Sequence, residues 1–318
     1  MKITFVLYSL ISLLIGCTPA HKLTSTAYIT NQGANTVSII DIKQAKVVQT
    51  VVVGKGPVGV TVSKTLKRAF ITNVDSQNIS VISTETKQVV DTISTPGAPV
   101  GIAIAPNNKT LYVADWYSDR ILAIDTANYK SQREVTIAKA PAGLVVSPDS
   151  AWLFVAVRDS NEVAVIDTTT LTINKRIAVG KHPFGLALSS NGDTLYTVNV
   201  YDNTISVINT KTWAQTKIKV GEHPYCAVTS TDNKTLYVTN TQDDTVSIID
   251  LATQKIITTI EVSVTPEGIG YDTASKQIFI ASWGENEVGV IDATTNKLKG
   301  HIKTGDKSRA FGQFILSE

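Results

Sequence analysis

The chain has 318 residues, 18% of them charged, with a formal net charge of +2. That leaves no strong field to attract nucleic acid or an anionic surface. Apolar residues make up 43%, a globular share, and Val, Ile and Thr recur throughout while Met occurs once, a composition that reads as all-β.

The first residues carry one charge, Lys2, followed by an apolar run from Ile3 to Gly16. This run is too short to cross a bilayer of about 30 Å as a helix and fits the apolar stretch of an export signal. It ends Leu14-Ile15-Gly16-Cys17, which resembles the bacterial lipobox. The resemblance implies a lipoprotein signal peptide over residues 1–16, lipidation of Cys17 and a lipidated tether over 17–26. With Thr18 rather than Asp after the cysteine, it implies an outer-membrane anchor in the cell envelope, facing the periplasm or the cell surface. A palmitate analogue is expected to label the wild type, and Cys17→Ala is expected to lose both label and membrane association. A variant that stayed labelled would refute the assignment. With Cys17 given to lipid, Cys226 is the remaining thiol, so no intramolecular disulfide can staple the fold.

From residue 27 to 318 the chain repeats. Tyr28-Ile29-Thr30-Asn31, Phe70-Ile71-Thr72-Asn73, Tyr112-Val113-Ala114-Asp115, Phe154-Val155-Ala156-Val157, Tyr196-Thr197-Val198-Asn199, Tyr237-Val238-Thr239-Asn240 and Phe279-Ile280-Ala281-Ser282 are spaced 42 residues apart, with one spacing of 41. A fixed period of this size is the mark of a repeat architecture. In each unit a second alternating run follows, such as Thr245 to Asp250, which reads as a strand. It ends on a turn former, Asp41, Ser83, Asp125, Asp167, Asn209, Asp250 or Asp292. A carboxylate that recurs in nearly every unit is a turn residue rather than a catalytic acid. A third strand follows (Lys46 to Val53 in the first unit), and a fourth opens on Pro-x-Gly, as in Pro57-Val58-Gly59, Pro99-Val100-Gly101 and Pro266-Glu267-Gly268.

Four strands per unit of about 42 residues, with no helical period, predict a seven-bladed all-β propeller of four antiparallel strands per blade. The motifs, above all Tyr237-Val238-Thr239-Asn240 with Thr245 to Asp250, resemble the YVTN β-propeller repeat family over residues 28 to 318. The resemblance implies that the Pro-x-Gly strand is innermost, strand A, with the others following outward as B, C and D. The chain then opens on a B strand and closes on the A-like Ala310 to Leu316, so the C-terminal strand should complete the N-terminal blade.

In such a blade the A–B and C–D turns share one face and the B–C and D–A loops the other. The A–B turns, such as Pro106-Asn107-Asn108-Lys109, repeat from unit to unit. The opposite face diverges, and departures from local consistency are where function is to be sought. Its B–C loops offer Trp116, Tyr117, Arg158, Tyr201 and Trp283. Its D–A loops offer His182, Phe184, His223, Tyr225, Glu267 and Arg309. Aromatics, histidines and arginine on one rim suit a recognition surface. His182 and His223 occupy equivalent positions, and Cys226 stands where most units have Gly, which makes these three the metal candidates, without a third ligand at motif spacing.

No G-x-S-x-G, H-E-x-x-H, Walker loop or dinucleotide fingerprint is present, and no motif calls for a cofactor. The expectation is a monomeric binding or scaffolding propeller for an envelope protein, peptide or small ligand. The alternative is a lactonase-like or quinoprotein-like propeller enzyme or a metal-handling accessory, with acid–base groups drawn from several blades.

Overall fold

The computed structural model describes residues 25–130 and 132–317; Cys17, the signal segment and most of the tether lie outside them. Seven sheets stand around an axis, each hydrogen-bonded in the order A-B-C-D from the axis outward. Blade 2 is typical: Pro57–Ser63 (A), Arg68–Asn73 (B), Asn78–Ser83 (C) and Val89–Ser94 (D). The protein is a seven-bladed β-propeller.

Burial along each strand follows from its place in the blade. In blade 2, strand B after its first residue is buried throughout, as is strand C, because both faces of the sheet pack against neighbouring blades. Such strands read as continuous apolar runs rather than alternating ones. The D strands are wet, with a single inward residue such as Ile93 or Ile177. The turn formers do what their chemistry dictates: Asp250 accepts from the Thr253 amide and hydroxyl, and these bonds hold its carboxyl below the usual range.

The innermost strands explain Pro-x-Gly. The A–B register skips between Pro57 and Val60, and again at the equivalent place in blades 3 to 7, so the glycine sits in an irregularity facing the next blade. A Cβ on Gly101 would collide with the Ala142 carbonyl oxygen, which shows how closely successive A strands approach. Where the third residue of the Tyr-Val-Thr-Asn motif is Thr, its hydroxyl stitches blades together. Thr72 accepts from its own blade's Gly59 amide (2.7 Å) and donates to the Val100 carbonyl of blade 3 (3.0 Å). Thr30 and Thr239 do the same between blades 1 and 2 and between blades 6 and 7. The motif's Asn locks the loop above it: Asn31 accepts from the Gly305 amide and donates to Thr36 and Ser38.

The chain closes its ring as the repeat implies, with one departure. Ile315–Leu316 pairs antiparallel with Thr26–Asn31 of blade 1 as its innermost strand, and the Phe314 carbonyl accepts from the Tyr28 amide. Between these contacts and the bridge from Asn31 to Ser308, the segment Phe311–Gln313 leaves blade 1 and pairs in parallel with Gly59 to Thr61 of blade 2. Blade 1 begins with Ser25, whose carbonyl accepts from Ile42, so the expected tether boundary at residue 26 falls inside the first strand.

Candidate functional site

Six of the seven D–A loops deliver their side chain from a backbone position that the B–C loop of the preceding blade fixes; in the loop into blade 3 the Ala98 amide is held by Asp115 instead. In those six the last residue of the B–C loop is left-handed, and its side-chain oxygen accepts from the amide just before the next Pro, or before Ser308 in the loop from blade 7 to blade 1. Asn161 holds the His182 amide (2.9 Å), Asn203 that of His223 (3.0 Å) and Asn286 that of Lys307 (2.7 Å). The short amide side chain tolerates positive φ, which is why Asn and Asp recur there. His182 and His223 are themselves left-handed, at φ 51° and 48°, so both imidazoles are presented by a constrained backbone.

The structure gathers most of the predicted rim into two connected groups. Tyr201, half exposed, lies between the two imidazoles, stacked on His182 at 4.1 Å and tilted to His223 at 5.5 Å between centroids. The buried Nδ1 of His182 has no hydrogen-bond partner, and burial together with the nearby Arg158 charge pushes its pKa down, so this ring is neutral at neutral pH. Arg158 stands 5.4 Å over the Trp116 ring and pairs with Asp159 at 2.6 Å. Trp116 leads inward to Phe184, which meets Tyr225 at 4.2 Å and Phe311 at 4.8 Å on the axis.

Beside these rings, Glu267 and Arg309 occupy the middle position of Pro-x-Gly and its C-terminal counterpart, the same repeat position as Phe184 and Tyr225. Arg309 grips both Glu267 oxygens and donates to Tyr225 Oη (3.1 Å) and Gln32 Oε1 (3.0 Å). Burial pushes the Glu267 carboxyl up and Arg309 opposes it, while burial drives the Tyr225 hydroxyl far above its usual range. The remaining rim residues stand apart. Trp283 lies under the Lys307 ammonium at 5.1 Å, and Tyr117 is 80% exposed. Asp115 has a packing reason for departing from Asn, since it accepts from the Ala98 amide and binds Arg120.

Sequence reasoning missed the other mouth. There a cavity of about 750 Å³ opens among the A–B turns, walled by the later halves of the A strands and floored by Phe311, Cys226 and the glycines of blades 4 and 5. The repeating turns hid it, because a funnel made by seven similar strands leaves no local irregularity in the sequence. The metal candidates do not converge: Tyr201 separates the two imidazoles, and Cys226 opens on the funnel with its thiol pushed far up by burial. Among the described residues no three metal-capable side chains cluster.

Solved structures similar to this chain share its fold. Hydrazine synthase of Kuenenia stuttgartiensis is 20% identical with a TM-score of 0.76, covering 84% of this chain and 92% of that one. A protein of unknown function from Desulfotomaculum acetoxidans is 14% identical with a TM-score of 0.77, covering 90% and 99%. Dihydro-heme d1 dehydrogenase NirN in complex with DHE is 13% identical with a TM-score of 0.69, covering 89% and 74%. Among curated proteins no relative matches. The model of the Cytochrome D1 heme domain matches residues 26–315.

A heme needs room, an axial nitrogen, sulfur or tyrosine oxygen donor and cations for its carboxylates. In this ring, the room and the imidazoles lie on opposite sides of the axial rings. The described funnel lining has no histidine or methionine, a protonated Cys226, a Tyr271 hydroxyl that burial pushes above its usual range, and one cation, Lys64. The mouth with the imidazoles is filled beneath by Phe184, Tyr225, Phe311 and the Glu267–Arg309 pair. The residues present therefore do not fit an enclosed heme. The match nonetheless runs from the first strand to the closing one, and the chain belongs to the Cytochrome D1 heme domain family.

Proposed function

We propose that the protein is a non-enzymatic binding propeller that holds a protein or peptide partner of the bacterial envelope at its B–C/D–A mouth. The observation that carries this reading is the platform of Tyr201 between His182 and His223, continuous with Trp116 under Arg158. Aromatic and arginine anchors on loops over a rigid scaffold are the usual source of binding energy. Of the acid–base groups on this mouth, Glu267 is engaged by Arg309 and Asp159 by Arg158, and the two imidazoles lie against the Tyr201 ring.

Family membership favours a second reading, a heme-handling accessory that meets its tetrapyrrole at the outer imidazoles rather than enclosing it. One preparation separates the two. After crosslinking in the envelope, the purified protein is expected to carry a defined protein partner and no heme absorbance. Trp116→Ala and Arg158→Ala should each weaken that partner's binding about thirtyfold, the equivalent of roughly 2 kcal/mol. Asn108→Ala and Thr169→Ala on the far face should leave it intact. Equal effects on both faces would reject the first reading, and heme absorbance lost in His182→Ala would establish the second.

A further inference from the structure

The funnel supports an inference independent of the rim. Strand A is the innermost of each blade's own four strands, so its inner edge has no neighbour within its own blade. In an antiparallel pair alternate residues turn N–H and C=O away from the partner strand, here toward the axis. One inner edge is already in use. Phe311–Gln313 lies in parallel register along Gly59, Val60 and Thr61, so the chain itself adds an extended segment to the axial edge of blade 2.

Beyond that segment the cavity is open to the A–B face and closed at its floor by Phe311 and Cys226. Ile104, Leu188, Val228 and Tyr271, from four different blades, line it half buried, an apolar surface facing open space. The lining has no carboxylate. Its one cation, Lys64, is exposed. Cys226 and Tyr271 are both held protonated by burial. A cation would give up its hydration there without a counter-ion and an anion would meet only the exposed Lys64, whereas an uncharged ligand loses little and gains strand-edge hydrogen bonds.

We propose that the funnel is a binding site for a single small, uncharged organic molecule bearing amide, carbonyl or hydroxyl groups, entering from the A–B face and stopped by Phe311 and Cys226.

The test uses the full chain carrying Cys17→Ala, so that acyl groups do not attract dye, titrated with Nile red, an uncharged planar carbonyl compound, and followed by fluorescence. Saturable binding at one site is expected. Leu188→Arg, which sets a charge on the funnel wall, should weaken it at least about tenfold. Thr229→Trp, which fills the same space from the blade 6 wall, should do likewise, and serves alone if the arginine variant melts early. Trp116→Ala on the opposite mouth should leave the dye's affinity unaltered, and the anionic dye anilinonaphthalene sulfonate should bind at least about tenfold more weakly than Nile red. Absence of saturable binding would overturn the proposal. So would affinity indifferent to both funnel substitutions, loss of binding in Trp116→Ala, or equal affinity for the anionic dye.

Discussion

Deleting Arg309 to Glu318 is expected to abolish the folded monomer. The deletion removes Ala310, Phe311, Phe314 and Ile315, all buried, and with them the inner strand of blade 1. At about 1.5–3 kcal/mol for each large apolar side chain, three such residues represent roughly 5–9 kcal/mol, comparable to the whole stability of an ordinary domain. The loss also uncovers the edge of Thr26–Asn31, a template for pairing with a second copy. Thermal melting and size-exclusion chromatography read the outcome: a truncated chain that melted like wild type and ran as a monomer would show that ring closure contributes little.

Arg309→Met should be the most damaging single substitution in the ring. It leaves Glu267 buried at the axis without its partner, a loss of about 3–5 kcal/mol by analogy with other broken buried pairs. The double variant Arg309→Met with Glu267→Leu should recover most of it, because the cost lies in the stranded charge rather than in the pair's absence. The pH dependence has a definite sign. Without Arg309 only burial acts on the Glu267 carboxyl and raises its folded pKa further. The folded state then holds a proton that the unfolded chain has released, so stability falls as pH rises above the ordinary carboxylate range. Arg309→Met should therefore lie closest to wild type in mild acid and furthest from it at neutral pH. A deficit independent of pH would mean that lost packing, not charge, is responsible.

The blades were legible in the sequence because each is local: the Tyr-Val-Thr-Asn strands, the turn carboxylates and Pro-x-Gly recur within about 42 residues, and each follows from turn chemistry or close backbone approach. The face of the rim was legible too, since position in the repeat assigns it. The axial closure was not. Phe184, Tyr225 and Phe311 come from different blades, and nothing near Phe184 in the chain signals that Phe311 will meet it across the axis. The parallel excursion of Phe311–Gln313 was likewise hidden, because the Ala310 to Leu316 pattern reads as one uninterrupted strand.

The threonine stitches give the ring a grain. Thr30, Thr72 and Thr239 tie blade 1 to 2, 2 to 3 and 6 to 7, while Ala114, Ala156, Val198 and Ala281 stand at the equivalent place where blade 3 meets 4, 4 meets 5, 5 meets 6 and 7 meets 1. Blades 1 to 3 and blades 6 and 7 are thus sewn at the inner margin, the seam from blade 7 to blade 1 is held instead by Arg309 on Glu267, and the arc from blade 3 to blade 6 lacks that thread. Trp116, Arg158, His182, Tyr201 and His223 all ride on the unsewn arc. The rim's rings and imidazoles therefore stand over blades whose inner margins meet without that hydroxyl bond, while the polar links gather on the blades nearest the chain ends.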